Sequence, residues 1–207
     1  MQTRNWFLWL LFGILGPYFT VSGQVSLHYT GPQQAVFFKL ESKNLKNPLV
    51  MFGDSAGTVY FETSHEKTFL RGKPERVERV GAGLYALWKH VGGRKVEIRM
   101  IPEGPNWAIS FKAIPDADIL RWGFQIKAQS DEFFTGLMER VVDGPQKLSW
   151  QSGQSTALNL NGQHVEMRVK PTVSIYMPFY LSARSYGLWV QGTWPGQFDF
   201  GKAHPNR

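Results

Sequence analysis

Carboxyl groups set close together are the first residues in this chain able to do chemistry. The nearest pairs are Asp116/Asp118 and Asp131/Glu132. Two such groups about 5–5.5 Å apart can share the roles of nucleophile and general acid–base. The settings of both pairs favour structure instead. Asp116 and Asp118 flank a turn led by Pro115, where carboxylates accept from backbone donors. Asp131 and Glu132 open Asp131–Met138, which reads as a helical turn capped by Ser130, with acids favoured in its first turn.

A richer set lies in Gly136–Trp150. Glu139-Arg140 places a carboxylate beside a guanidinium, Asp143-Gly144-Pro145 makes an exposed loop, and Trp150 follows. Carboxylates that bond hydroxyls and an aromatic face against C–H groups are what a sugar site uses. The plainer alternatives are an ion pair at Glu139–Arg140 and a core position for Trp150. The five histidines, His28, His65, His90, His164 and His204, have no shared metal-ligand spacing, and His164 reads as a turn residue beside Asn161-Gly162. There is no Gly-x-Ser-x-Gly elbow, His-Glu-x-x-His or phosphate loop. No cofactor or metal is implied.

The elements that must position these residues are strands. From Gln34 onward, short runs alternate with turn residues every eight to twelve positions or so, the all-β rhythm. The predicted strands are Ala35–Leu40, Thr58–Glu62, Leu84–His90, Val96–Ile101, Ala108–Ala113 and Ile119–Lys127, then Val165–Lys170, Val173–Tyr176, Phe179–Ser182, Tyr186–Val190 and Gln197–Phe200. In Val96–Met100, Val96, Ile98 and Met100 share one face, and Glu97 and Arg99 the other. Val91-Gly92-Gly93-Arg94 and Asn161-Gly162 are hairpin signals. Trp88, Trp107, Trp122 and Trp189 fall inside strand patterns and read as core, whereas Trp194-Pro195-Gly196 reads as an exposed turn that packs on a following domain, with contact to ligand as the alternative.

The chain has 207 residues, enough for one all-β domain burying roughly 70% of its unfolded surface. It has no cysteine, so disulfides, thiolate chemistry and Cys-based zinc sites are excluded. The N-terminus reads as a signal peptide: Arg4, an apolar core Trp6–Gly16, a Gly16-Pro17 break, and small residues at Val21-Ser22-Gly23 ahead of Gln24. A membrane anchor or a buried strand are the alternatives, and the run falls short of the roughly 20 residues a membrane span needs. Cleavage would place residues 24–207 in the periplasm or outside the cell, with no membrane span, and lower the formal charge from +7 to +6 by the loss of Arg4. The remaining basic residues are interleaved with acids, as in Arg71–Arg79, so no phosphate-tracking stripe forms and nucleic acid is not an expected partner.

Two segments carry a family resemblance. Phe134-Thr-Gly136-Leu-Met-Glu139-Arg140 precedes Pro178-Phe-Tyr-Leu-Ser182-Ala-Arg-Ser-Tyr186-Gly187. The pair resembles the N-terminal β-sandwich domain of glycoside hydrolase family 31, the α-glucosidase and α-xylosidase family, best over Ile119–Arg207. Gly136-Leu-Met-Glu139 departs from the Gly-x-Gly-Glu that the family often shows, which bears on sugar specificity. The resemblance implies an antiparallel β-sandwich related to galactose-mutarotase-like supersandwich domains. It also implies that the chemistry resides in a C-terminal catalytic barrel of the same protein, as a double displacement on an α-linked glycoside. The family's Trp-x-Asp-Met nucleophile motif is absent from this sequence, so no catalytic residue transfers. In the family the connection after the Glu-Arg strand projects over the barrel and forms part of the sugar subsite. By that likeness Asp143 and Trp150, with Glu139 and Arg140 behind them, would touch substrate. A free-standing carbohydrate-binding module is the alternative, as is an envelope structural protein.

Overall fold

In the computed structural model, the residues described are 6–11, 23–30, 35–42, 49–51, 59–104, 106–137, 159–167, 177–191, 195–203 and 205. They are all-β, with no helix among them and every strand pairing antiparallel. The strands are β1 (Trp6–Leu11), β2 (Gly23–Thr30), β3 (Ala35–Ser42), β4 (Leu49–Met51), β5 (Val59–Glu62), β6 (Lys67–Phe69), β7 (Arg76–Val80) and β8 (Gly83–Val91). There follow β9 (Arg94–Glu103), β10 (Asn106–Ile114), β11 (Arg121–Phe124), β12 (Phe134–Gly136), β13 (His164–Met167), β14 (Phe179–Ser182), β15 (Tyr186–Gln191) and β16 (Gly196–Asp199).

One large sheet runs β12-β14-β15-β1-β10-β9-β8-β7. Its register puts the apolar residues of neighbouring strands on one face. Leu84, Ala86 and Trp88 oppose Met100, Ile98 and Val96, which in turn oppose Ile109, Phe111 and Ala113. All nine are buried. The period of two foreseen for β9 therefore sets the face of the whole sheet. Its other face carries Lys95, Glu97 and Arg99, with Lys95 and Arg99 both paired to Glu97.

Three small sheets complete the sandwich: β11-β5-β6, β2-β3-β4 and β13-β16. Each sends apolar residues into the core beneath the large sheet. Trp122 of β11 stacks on Phe111 of β10 at 5.7 Å between ring centroids and meets Phe61 of β5 edge-on at 5.5 Å. Phe200, just past β16, lies 5.0 Å from Phe134 and 5.1 Å from Tyr180. Val25, Phe38 and Leu40 bring β2 and β3 into the same core, and Arg79 donates across to the Val25 carbonyl at 2.6 Å. Offset and edge-to-face rings of this kind add to what their buried area alone contributes.

Several local expectations meet the structure directly. The β8–β9 hairpin turns at Gly92 and Gly93, whose φ values of 54° and 72° suit a type I′ turn. Asn161-Gly162 forms a turn ahead of β13, with Gly162 at φ 76°, but not the expected hairpin, because β13 pairs with β16 and Asn159-Leu160 before the turn is not a strand. Other expectations need correction. Ile119–Lys127 is strand only over Arg121–Phe124. Asp131–Met138, described as far as Leu137, holds no helix: Ser130 and Asp131 form a single turn closed by the Glu132 N–H on the Gln129 carbonyl at 3.1 Å, and Phe134–Gly136 is a strand at the sheet edge. Pairing with β14 and burial of Phe134 outweighed the local capping signal. Trp189 is not core but 41% exposed on the outer face, because Tyr186 and Leu188 take the inner positions of β15. His164 is the first residue of β13, beside Asp199 at 3.5 Å, rather than a turn residue. Val173–Tyr176 lies outside the described residues.

Candidate functional site

The two motif segments fold as neighbours. Phe134, Thr135 and Gly136 of β12 oppose Ser182, Leu181 and Tyr180 of β14, and β14 pairs with β15 through Phe179↔Trp189 to Ser182↔Tyr186. The glycines explain the closeness. Gly136 has φ 124°, and a Cβ there would stand 2.5 Å from the Phe179 carbonyl oxygen and 2.9 Å from the Tyr180 Cα. At Gly187 a Cβ would meet Leu181, Phe179 and the Tyr180 carbonyl within 3.1 Å. Leu137, fully buried, follows with φ 73°, and its N–H bonds the Phe179 carbonyl at 2.7 Å. A left-handed leucine is a strained backbone held by its surroundings.

Behind this junction is a buried polar cluster that the sequence did not reveal. The Glu132 carboxylate, almost wholly shielded, accepts from Ser182 Oγ at 2.5 Å and from the Gln129 N–H at 3.0 Å, and it faces Arg184 Nε at 3.3 Å. Ser182 Oγ also accepts from the Arg184 N–H at 3.0 Å, within the tight β14–β15 turn that Ser185 closes at φ 68°. The Tyr186 hydroxyl lies near Glu132 and Ser182 without a hydrogen bond of good geometry. Burial pushes the Tyr186 phenol far above its usual range, and the charges of Tyr180 and Glu132 add to the shift. Burial, then the Glu132 charge, does the same to Tyr180. Nearby, Asn161 donates to the carbonyls of Ser130 and Glu132 at 3.1 and 2.8 Å, and Asn159 accepts from the Phe134 N–H at 3.1 Å. The strand before the Glu-Arg pair is thus clamped on both sides.

Glu139, Arg140, Asp143 and Trp150 lie outside the described residues, as does Trp194. The described chain reaches Leu137 on one side and resumes at Asn159 on the other. Asp118 is held by Arg94 at 2.5 Å, a bond that, with the charge of Arg94, keeps its carboxyl below the usual range. Asp116 offers its backbone carbonyl to Ile119. In the Asp131/Glu132 pair Glu132 is sealed in, whereas Asp131 is exposed and meets Arg184 at 3.8 Å. No group of three or more His, Asp or Glu among the described residues has the arrangement of a metal site. Compared with family models, curated proteins and solved structures, the chain gives no match.

Ser182 and Arg184 lie in the second motif segment, but Glu132 stands two residues before the first, so the sequence carried no signal that joined them. Their 50-residue separation hid the contact until strand pairing brought them together.

Proposed function

We propose that this chain is a non-catalytic β-sandwich domain, related to the N-terminal domain of family 31 glycoside hydrolases, that packs on a catalytic barrel and lends the segment after β12 to the sugar subsite. The observation that carries the reading is the side-by-side pairing of the two resembling segments, with Gly136 at a contact that only glycine tolerates. The Glu132 cluster supports it, because a loop presented to a ligand needs a rigid base. The sugar contacts would come from Asp143 and Trp150, with Glu139 and Arg140 at their base, and the substrate would be an α-linked glycoside of carbohydrate metabolism. The bond-breaking acids would belong to the barrel. Its compartment, periplasmic or extracellular, follows from residues 1–23 directing export.

One observation favours the alternative, a free-standing carbohydrate-binding module. Trp189 is exposed on the outer face of the large sheet, cross-strand from Phe179, and an exposed indole is a stacking platform for a sugar ring. Titrating the full chain against immobilised α-linked glucans and xylosides separates the two. Under the domain reading Asp143→Ala weakens binding about tenfold, the loss of one charged hydrogen bond, and Trp189→Ala leaves it unchanged. The reverse pattern selects the module, and unchanged binding in both variants removes both sites.

A further inference from the structure

The segment Trp6–Leu11, six consecutive apolar residues, occupies the middle of the large sheet. On one side Trp6–Leu10 oppose Phe111–Trp107 of β10, and on the other Phe7–Leu11 oppose Gln191–Gly187 of β15. Among the described residues no other strand joins β7-β8-β9-β10 to β15-β14-β12. Trp107, Ala108, Ile109 and Leu188, on the facing strands, are all buried. Alternate backbone N–H and C=O groups along both facing edges therefore point to β1 in the middle of the sheet, over a buried inner face. Left without a strand, β10 and β15 would both become open edges with rows of unpaired donors and acceptors. An edge strand would carry charge or proline, and Trp6–Leu11 carries neither.

We infer that Trp6–Leu11 stays in the folded protein as the strand that fills the slot between β10 and β15 and unites the two halves of the sheet. The inference concerns the segment's final place and not the route by which the protein reaches its compartment. It does require that residues 6–11 remain attached, so cleavage after Gly23 and this role are alternatives.

Hydrogen–deuterium exchange on the full chain is the test, joined to the intact mass of protein recovered from the producing cells. The expected result is a mass that includes residues 1–23. It comes with amides of Leu8–Leu10, Trp107–Phe111 and Gly187–Gln191 slowed as much as those of Ile98 and Met100 in β9. A mass lacking residues 1–23, or freely exchanging amides in Trp6–Leu11, overturns the inference. Leu8→Pro, which removes a ladder donor in mid-strand, gives a second reading on the full chain. Faster exchange on both facing edges is expected, and unchanged protection there contradicts the role. If Leu8→Pro yields no folded protein, exchange in the unsubstituted chain still decides.

Discussion

Glu132 shows how a residue can be visible in a sequence and illegible in role. Beside Asp131 it suggested the start of a helix. In the fold its carboxylate is sealed among Ser182, Arg184 and the Gln129 N–H. A buried carboxylate is tolerated only when its lone pairs are filled, and removing it leaves donors without acceptors. Glu132→Ala should cost about 3 kcal/mol of stability, since Arg184 and Ser182 lose their partner together. Glu132→Gln keeps the shape and two acceptor contacts and should cost about 1 kcal/mol. Chemical denaturation of the variants checks both, and equal stability of Glu132→Ala and the parent would show that the cluster contributes nothing. Gly136 was legible as a motif residue but not for its reason. Gly136→Ala must push a methyl group against the Phe179 carbonyl at a φ that L-residues avoid, and should cost about 2–3 kcal/mol. Gly81→Ala, also at positive φ but with open space around it, should cost about half as much. A thermal melt that places the two variants together would contradict the close-approach explanation.

At the scale of the element, the strands were readable wherever one face is buried and the other is wet. Val96–Met100, Phe179–Ser182 and the Gly92-Gly93 turn needed no tertiary information, because alternation and turn chemistry both point the same way. Phe134–Gly136 was not readable. It is three residues long, its neighbours carry capping residues, and it exists because β14 is there to pair with it. Trp189 was misjudged for a related reason: every residue of Tyr186–Val190 is apolar or glycine, so nothing in the run says which phase faces inward. The β14–β15 pair also has a consequence for pH. Tyr180 and Tyr186 both have phenols raised above the usual 10.0 by burial. The folded protein keeps them protonated while the unfolded chain ionises above about pH 10. Their contribution is therefore fully present below that pH and lost as the pH rises towards the folded values. The midpoint of thermal unfolding should fall steeply above about pH 10, and Tyr186→Phe should flatten that fall. A variant whose alkaline decline matches the parent's would show that Tyr186 titrates alike in both states.

Across the whole molecule, composition and rhythm were enough to foresee an all-β antiparallel sandwich, because a strand pattern with no helical period has few ways to bury its apolar faces. The pattern did not reveal that three small sheets, rather than one, would cover the large sheet, since that depends on aromatic contacts such as Trp122 on Phe111 and Phe200 on Phe134. Nor could it assign a place to Trp6–Leu11, where a leader and a buried strand share one composition. The functional reading draws the same distinction between scaffold and chemistry. Under the proposed function the described residues would be the base for a sugar-contacting segment, and the acids that open a glycosidic bond would belong to a catalytic barrel. The most direct test is to incubate the purified chain with aryl α-glucoside and aryl α-xyloside and follow phenol release. No turnover above the uncatalysed rate is expected, and hydrolysis that Asp131→Asn or Asp143→Asn abolishes would contradict a non-catalytic domain.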